Sequence, residues 1–330
     1  MGLTPWFNII ANNTDITQQI KSRLLNLQVV DCAGFDSDMV SIQLDDRDHQ
    51  IALPSTGAKL NIALGYNETG LVKMGLYVVD ELTLAGPPWT LGISAKVADM
   101  RKEMKAPKTK TWQHPGQPSP EFLLTDIVKS IAARYRLKPR VSKEFQQITY
   151  AVVNQTEESD LHFLSRLAKE VGAIAKPAGN YLLFVKRGQG KSVSGNQLPA
   201  ITLTPPQVSS VHVTMAERSA YQRVIAKYQD QNAATTQLIS AGKGEPCYQI
   251  RKVFKTAAEA QEAARARLAS YQRGEASIEV SLPGNPGLIA EADVHISGFR
   301  EGIDGIWSIE RVTHSLSHQG YVTTVEAVTK

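Results

Sequence analysis

A stretch near the start of the chain is replayed in its last fifth. Ala58-Lys-Leu-Asn-Ile-Ala-Leu-Gly-Tyr66 is followed by Gly75-Leu-Tyr-Val-Val-Asp-Glu-Leu-Thr83 and then Leu91-Gly-Ile-Ser-Ala95. Near the C-terminus, Ala292-Asp-Val-His-Ile-Ser-Gly-Phe299 is followed by Gly305-Ile-Trp-Ser-Ile-Glu-Arg-Val-Thr313 and then Thr323-Thr-Val-Glu-Ala327. Each copy reads as a strand, a glycine-aromatic strand and a third strand, separated by turns rich in glycine, proline or histidine. A β unit duplicated within one chain suits a part of a symmetric assembly better than it suits a catalyst.

The 330 residues are enough for two or three domains, each with its own core. A hydrophobic content of 42% and a charged content of 21% are ordinary for a globular protein. No apolar run approaches the roughly 18 residues of a membrane span. Met1-Gly-Leu-Thr-Pro-Trp lacks the basic start and apolar core of a signal peptide, and Trp6 stands where a myristoylation motif has Ser or Thr. The expectation is a chain made and folded in the cytoplasm. Cys32 and Cys247 are far apart in sequence and belong to no CxxC, which favours two reduced, buried thiols over a disulfide. The formal net charge is +4, and Arg101-Lys-Glu-Met-Lys-Ala-Pro-Lys-Thr-Lys110, with five bases and one acid, accounts for all of it. One basic loop is not a nucleic-acid stripe, and a solvated or protein-docking loop is the better reading.

Residues 1 to about 98 read as β. Val40-Ser-Ile-Gln-Leu44 alternates as a half-buried strand should, Asp45-Asp-Arg-Asp-His49 and Pro54-Ser-Thr-Gly57 are turns, and Gly86-Pro-Pro88 separates two further runs. Residues 101–120, basic and then rich in Pro and Gly, mark a boundary or a long functional loop. A helix is predicted after it, with Ser119 as cap, Pro120 in the first turn, and Leu123, Leu124, Ile127, Ile131 and Tyr135 on one apolar face. A second helix is predicted over 160–171, capped by Ser159 or Asp160 and stopped by Gly172. Its stripe of Leu161, Leu164, Leu167, Ala168 and Val171, with Phe163 beside it, reads as core packing. Tyr181–Val185 is a short strand, and 187–199 reads as a linker. From about 200 the chain returns to β, with strands at Ile278–Leu282, Val294–Ile296, Trp307–Ile309 and Val322–Val328. Within that stretch, Thr256 and Glu259 form a capping box for an Ala-rich helix ending at Arg273. The chain is therefore expected to be mainly β (α+β), with a β domain over 1–100, an α+β middle over 101–200, and a second β domain over 201–330 that carries the helix 257–273.

Little in the sequence carries chemistry. Gly190-Lys-Ser192 resembles the end of a phosphate loop, but Val185 stands where that loop needs its first glycine. Asp45, Asp46 and Asp48 lack the Gly and the bidentate Glu of a calcium loop. His314 and His318 are four apart on a strand end, a spacing that does not aim them at one metal, so His314 reads as a packing or hydrogen-bonding residue. Glu157, Glu158 and Asp160 cluster at a helix N-terminus, where the dipole leaves ordinary ionised acids rather than a split catalytic pair. There is no GxSxG elbow. No catalytic, cofactor-binding or metal-binding residue is expected.

Gln155-Thr-Glu-Glu-Ser-Asp-Leu-His-Phe-Leu-Ser-Arg-Leu-Ala-Lys-Glu-Val-Gly-Ala173 resembles the "ESD..FL.RLA...GA" segment of phage late-control gene D proteins. These are tail baseplate hubs related to the hub part of type VI secretion VgrG spikes. Leu53-Pro-Ser-Thr-Gly57, Leu64-Gly-Tyr66, Gly86-Pro-Pro88, Ile93-Ser-Ala95 and Lys108-Thr-Lys-Thr-Trp112 are similar as well. So are Arg273-Gly274, Pro286-Gly287, Gly298-Phe299, Asp304-Gly-Ile-Trp307, Val312-Thr-His314 and Gly320-Tyr-Val-Thr323. The resemblance runs in order along nearly the whole chain. It implies a structural baseplate hub of a contractile phage tail or an R-type pyocin-like particle, assembled in the bacterial cytoplasm, with two tail-tube-like β-barrel domains per chain. Three such chains would give a pseudo-six-fold ring around an open channel, adapting the hexameric tube to the trimeric central spike. Tape-measure and baseplate wedge proteins are further implied partners, with no membrane and no direct nucleic-acid recognition. Related families carry fused lytic or spike domains, and this chain, ending soon after its second β unit, is expected to carry neither. The alternative is a tail-associated enzyme that degrades cell wall, motivated by the polar loops at 101–120 and 187–199. Ser159, Asp160, Phe163, Leu164, Leu167, Gly172, Gly298, Gly305, Trp307 and His314 are expected to be structural, and Arg101, Lys102, Lys105, Lys108, Lys110 and Trp112 form a candidate docking loop.

Overall fold

The computed structural model describes residues 2–34, 38–97, 103–113, 122–150, 152–178, 181–186, 200–215, 221–230, 235–272 and 276–329. It is mostly β, with four α-helices among the described residues. Contacts divide the chain into two compact units, each assembled from separated stretches. The first comprises 1–99, 199–214 and 277–327, and the second 100–198, 215–276 and 328–330.

The first unit holds one continuous 13-stranded sheet rather than closed barrels, since the described pairings close neither half on itself. Six strands in chain order make its N-terminal half: Pro5–Ala11, Leu24–Cys32, Met39–Asp45, Lys59–Tyr66, Gly70–Ala85 and Thr90–Val97, with the two-residue strand Thr14–Asp15 added at the outer edge of Pro5–Ala11 as the thirteenth of the sheet. Six more make the C-terminal half: Ile201–Leu203, Ser210–Met215, Ala276–Pro283, Asp293–Ile296, Gly305–Ser317 and Gly320–Thr329. Both sets lie in the same spatial order, second, third, sixth, fifth, fourth, first. The duplication legible in three strands thus extends to six. One difference is that the first strand runs antiparallel to its neighbour in the N-terminal copy and parallel in the C-terminal copy. Alternation decides which face is buried. Val40, Ile42 and Leu44 go inward while Ser41 and Gln43 are exposed, and Ile278, Val280 and Leu282 repeat this in the other copy. A single short helix, α1 (Thr17–Lys21), sits in this unit, with the Asp15 carboxylate accepting from the Thr17 N–H at 2.8 Å.

The second unit carries the longer helices α2 (Leu124–Arg134), α3 (Asp160–Val171) and α4 (Ala257–Gln272). α2 starts later than the sequence suggests. Its N-cap position is Leu123, without a side-chain cap, and the Leu124 N–H donates to the Ile148 carbonyl at 2.9 Å because Phe122–Leu123 pairs as a short strand with Thr149–Tyr150. The expected cap Ser119 and first-turn Pro120 lie outside the described residues. α3 begins and ends as its caps dictate, with Ser159 Oγ accepting from the His162 N–H and Gly172 in the left-handed conformation at φ 69°. α4 covers a three-stranded sheet of Thr235–Gly242, Arg223–Asp230 and Cys247–Phe254. Its buried Ala260, Ala263 and Ala264 are small enough to lie directly on Val224, Ala226 and Phe254. Because α4 also packs on α3, this stretch of the expected second β domain belongs by its contacts with residues 100–198. Neither cysteine is in a disulfide, and Cys32 is buried and Cys247 half-buried.

Candidate functional site

In the second unit the family motif and the basic segment meet at one carboxylate. Asp160 is completely buried, yet it accepts hydrogen bonds from Lys108 Nζ at 2.8 Å, Arg134 Nη1 at 2.6 Å, Tyr135 Oη at 2.5 Å and Gln155 Nε2 at 2.8 Å. Burial alone would raise its pKa. The bonds from Lys108, Tyr135, Gln155 and Arg134 outweigh burial and hold it at about 2, so the group is ionised at neutral pH. Next to it Glu158 accepts two bonds from Arg166, at 3.2 and 2.8 Å, and Arg166 also donates to the Asn154 carbonyl. Phe163 stacks on Trp112 with ring centres 5.8 Å apart and planes 8° from parallel, and Leu164 and Leu167 are buried in the same core. The letters of the motif thus act as a cap, ion-pair partners and core.

The basic segment is tied into this arrangement. Strand Pro107–Trp112 pairs antiparallel with Val153–Ser159, and its alternate residues Lys108, Lys110 and Trp112 share one face. Lys108 is spent on Asp160. Lys110 lies over the Trp112 ring at 3.7 Å, and Trp112 is 2% exposed and donates to Gln155 Oε1 at 3.3 Å. Trp112 therefore belongs to the interior of this unit, whereas Lys108 is held by Asp160 with its side chain still 31% exposed. Lys105 is exposed in a short 3-10 turn, Glu103–Lys105. Arg101 and Lys102 lie outside the described residues. Sequence reasoning missed Arg134, Tyr135 and Gln155 as partners of Asp160, although the alternation of Lys108, Lys110 and Trp112 already marked a face.

In the first unit the two copies share several backbone bonds. The Val79 N–H donates to the Ala58 carbonyl at 2.9 Å, and the Ile309 N–H to the Ala292 carbonyl at 3.0 Å. The Gly57 N–H donates to Val79 O and the Glu291 N–H to Ile309 O, with both donors at positive φ. Gly75 and Gly305 sit at φ 141° and 150°, opposite Ile62 and Ile296. The next aromatic then folds back, Tyr77 Oη to the Met74 carbonyl at 3.1 Å and Trp307 Nε1 to the Ile303 carbonyl at 2.9 Å. Gly298 turns at φ 82°, pinned by the Asp304 carboxylate, which accepts from the Gly298 and Phe299 N–H groups.

The copies meet along a seam. Asn26–Cys32 pairs antiparallel with Arg311–Ser317, and the Tyr66 hydroxyl donates to the Gly284 carbonyl at 2.9 Å while its ring packs on Tyr321. Behind the seam, buried His314 donates from Nε2 to the Leu288 carbonyl at 3.2 Å, since a carbonyl can only accept. Its Nδ1 then faces the Tyr321 and Thr323 hydroxyls at 2.9 and 3.1 Å. Burial lowers the His314 pKa, against a smaller opposing effect of the Leu288 bond, so the ring is neutral. Nothing local in the chain marks that His314 and the distant Tyr66 share Tyr321 as a neighbour.

A cavity of about 230 Å³ in the second unit is lined by Glu144, Tyr150, Glu170, Phe254, Glu259 and Glu262, among others. Burial raises the Glu259 pKa. Asp45 and Asp48 are engaged by Arg47 and Arg23, and no cluster among the described residues has the composition to hold a metal ion. Gly190-Lys-Ser192 lies outside the described residues.

The chain matches known proteins along its length. A family model described as phage tail baseplate hub (GPD) matches residues 123–320. A probable baseplate hub protein of Escherichia phage P2 is 31% identical over 366 residues, spanning 98% of this chain and 93% of its own. The solved 43 kDa tail protein of prophage MuSo2 from Shewanella oneidensis has the same fold, with a TM-score of 0.69 at 13% identity over 98% of each chain. The E. coli c3393 protein, a component of the type VI secretion system, is similar with a TM-score of 0.55 at 13% identity, over 93% of this chain and 74% of its own. Given the family-model match and a relative this close across nearly its full length, the chain belongs to the phage tail baseplate hub family.

Proposed function

We propose that three copies of this chain form the hub that joins a six-fold tail tube to a three-fold central spike. The observation that carries this reading is the repetition of one six-strand topology within the chain. Three chains with two like halves offer six like positions to the tube and three to the spike, so a single gene product meets both symmetries. Each six-strand half acts as a tube-like domain. The particle is a contractile phage tail or a pyocin-like relative, assembled in the bacterial cytoplasm, with tape-measure and baseplate wedge proteins as further neighbours. Sedimentation of the purified chain, alone and with tube or spike protein, tests this. A mass of three chains and co-sedimentation with both partners is expected. A monomer that binds neither overturns the reading.

One observation favours a test of the cell-wall-degrading alternative, namely the glutamate-lined cavity in which burial raises Glu259. A raised carboxylic acid is what a general acid requires. Clearing of peptidoglycan by the purified chain, lost in Glu259→Gln, would establish it. The hub reading expects no clearing by either protein.

A further inference from the structure

The cavity beside α3 and α4 exists because two apolar clusters of the second unit meet there without filling the space between them. Ile148, Tyr150 and Val171 belong to the cluster around α2 and α3, and Phe254 and Ala263 to the cluster under α4. Two of the α4 residues that line it, Ala258 and Ala263, carry only a methyl group, and about 230 Å³ is left open.

Two polar groups in this cavity are not accounted for by the chain itself. Tyr150 is 7% exposed, and its hydroxyl has no hydrogen-bond partner among the described residues. A buried hydroxyl without a partner is costly and calls for one. Glu259 is half-buried, and the bond it accepts, from the Lys255 N–H at 3.3 Å, serves the start of α4, where its own N–H donates to Thr256 Oγ1 at 3.2 Å. No cation pairs with Glu259 among the described residues, whereas Glu170 is paired with Lys252 at 2.6 Å and Glu262 with Arg265 at 3.1 Å. The Lys255 ammonium donates elsewhere, to the Val152 carbonyl at 3.5 Å. Burial first, and then the charges of Glu170 and Glu259, hold the Tyr150 hydroxyl well above its ordinary pKa of 10.0, so both carboxylates lie near it. The orphan hydroxyl and the unpaired carboxylate thus face the same space.

The lining selects the occupant. Glu144, Glu170, Glu259 and Glu262 surround the space with carboxylates, which repel an anion. Ile148, Val171 and Phe254 offer carbon where a metal ion needs oxygen, and no cluster among the described residues has a metal-holding composition. An alkylammonium suits both halves of the lining, since its head carries three N–H donors with no acceptor and its stem is apolar. We infer that this cavity binds a primary alkylammonium group, its stem along Ile148, Val171 and Phe254 and its head shared by Glu259, Tyr150 and Glu170. A free amine and the side chain of a lysine on another protein present this same chemistry. The site requires neither three copies of the chain nor any turnover, so it stands apart from both readings above.

The test is titration of the full-length chain with butylammonium, read by ligand-observed NMR, beside butyramide and butyrate as neutral and anionic controls of matched length. Butylammonium is expected to saturate with a Kd of about 1 mM, and the controls to bind about tenfold more weakly or not at all. Tyr150→Phe removes the orphan hydroxyl and no bond of the chain, so thermal unfolding should be unchanged or raised while butylammonium binding weakens about tenfold. Glu259→Gln keeps an oxygen for the Lys255 N–H and should weaken binding at least as much. Nα-acetyl-lysine methylamide separates the two sources. Binding as tight as that of butylammonium assigns the site to a lysine of another protein, and weaker binding assigns it to a free amine. No saturable binding, equal binding of butyramide, or binding that either variant leaves unchanged overturns the inference.

Discussion

The two copies of the six-strand motif share backbone bonds and differ in what lies against them. Tyr77 and Trp307 occupy the same place, each buried and each bonded to a carbonyl a few residues earlier in the chain. Trp89 and Tyr321 also occupy the same place, yet one is exposed and the other is buried under Tyr66. The backbone motif thus sets where an aromatic stands, and the neighbouring copy sets whether it is covered. What is common to the copies should therefore fail equally in both when mutated, and what differs should fail in one alone.

The largest effect is expected at the shared aromatic. Trp307→Ala and Tyr77→Ala each leave a buried void beneath the glycine turn and should each cost about 3–5 kcal/mol, read from urea unfolding. A loss at one position without the other would mean that the copies are stabilised differently despite their matched bonds. Next comes the pair that differs. Tyr321→Ala should cost about 3 kcal/mol, whereas Trp89→Ala should stay under about 1 kcal/mol in the same assay, because its ring loses little burial in the single chain. Equal losses would show that the exposure of Trp89 does not describe the chain in solution. Smaller again is the turn itself. Gly75 and Gly305 hold φ of 141° and 150°, which side-chain-bearing residues rarely adopt, while an added Cβ would meet nothing closer than 3.4 Å at Gly75 and nothing at all at Gly305. Gly75→Ala and Gly305→Ala should thus cost about 1–2 kcal/mol apiece, from backbone strain alone, and a neutral result would show that the turn relaxes.

How far the sequence could carry this can be seen residue by residue. The alternation of Val40, Ile42 and Leu44, the Ser159 cap and the Gly172 stop were legible because each depends on near neighbours in the chain. The matched glycine-aromatic pairs were legible because the two copies kept similar letters. The division of the chain was not. The stretch after Met215 reads locally as more β followed by an Ala-rich helix, and only its packing places α4 with α3 and residues 100–198. The burial of Trp112 was hidden for the same reason, since a Trp in a basic stretch carries no local sign that Phe163, more than fifty positions away, will stack on it. The seam was equally hidden. Asn26 and Ser317 are joined by nothing but pairing, and the resemblance that pointed to two β domains did not say they would share one sheet.

The smallest expected difference concerns pH, at the place where one copy has His314 and the other Leu84. Burial lowers the His314 pKa below the ordinary value of 6.5, so the unfolded chain binds a proton that the folded chain refuses. Stability contributed by the neutral ring is then complete above 6.5 and is lost as the pH falls from there toward the folded pKa, by about 1.4 kcal/mol for each pH unit crossed. His314→Leu, which gives the C-terminal copy the residue of the N-terminal one, removes this slope and also strips the Tyr321 and Thr323 hydroxyls and the Leu288 carbonyl of a partner. The variant should be less stable than the parent at pH 8, with the gap narrowing at pH 5.5, while Leu84→His, at an exposed site, should add little slope in the single chain. A gap of the same size at both pH values would mean that His314 is not held neutral by its burial, and that the two copies differ at this position only in packing.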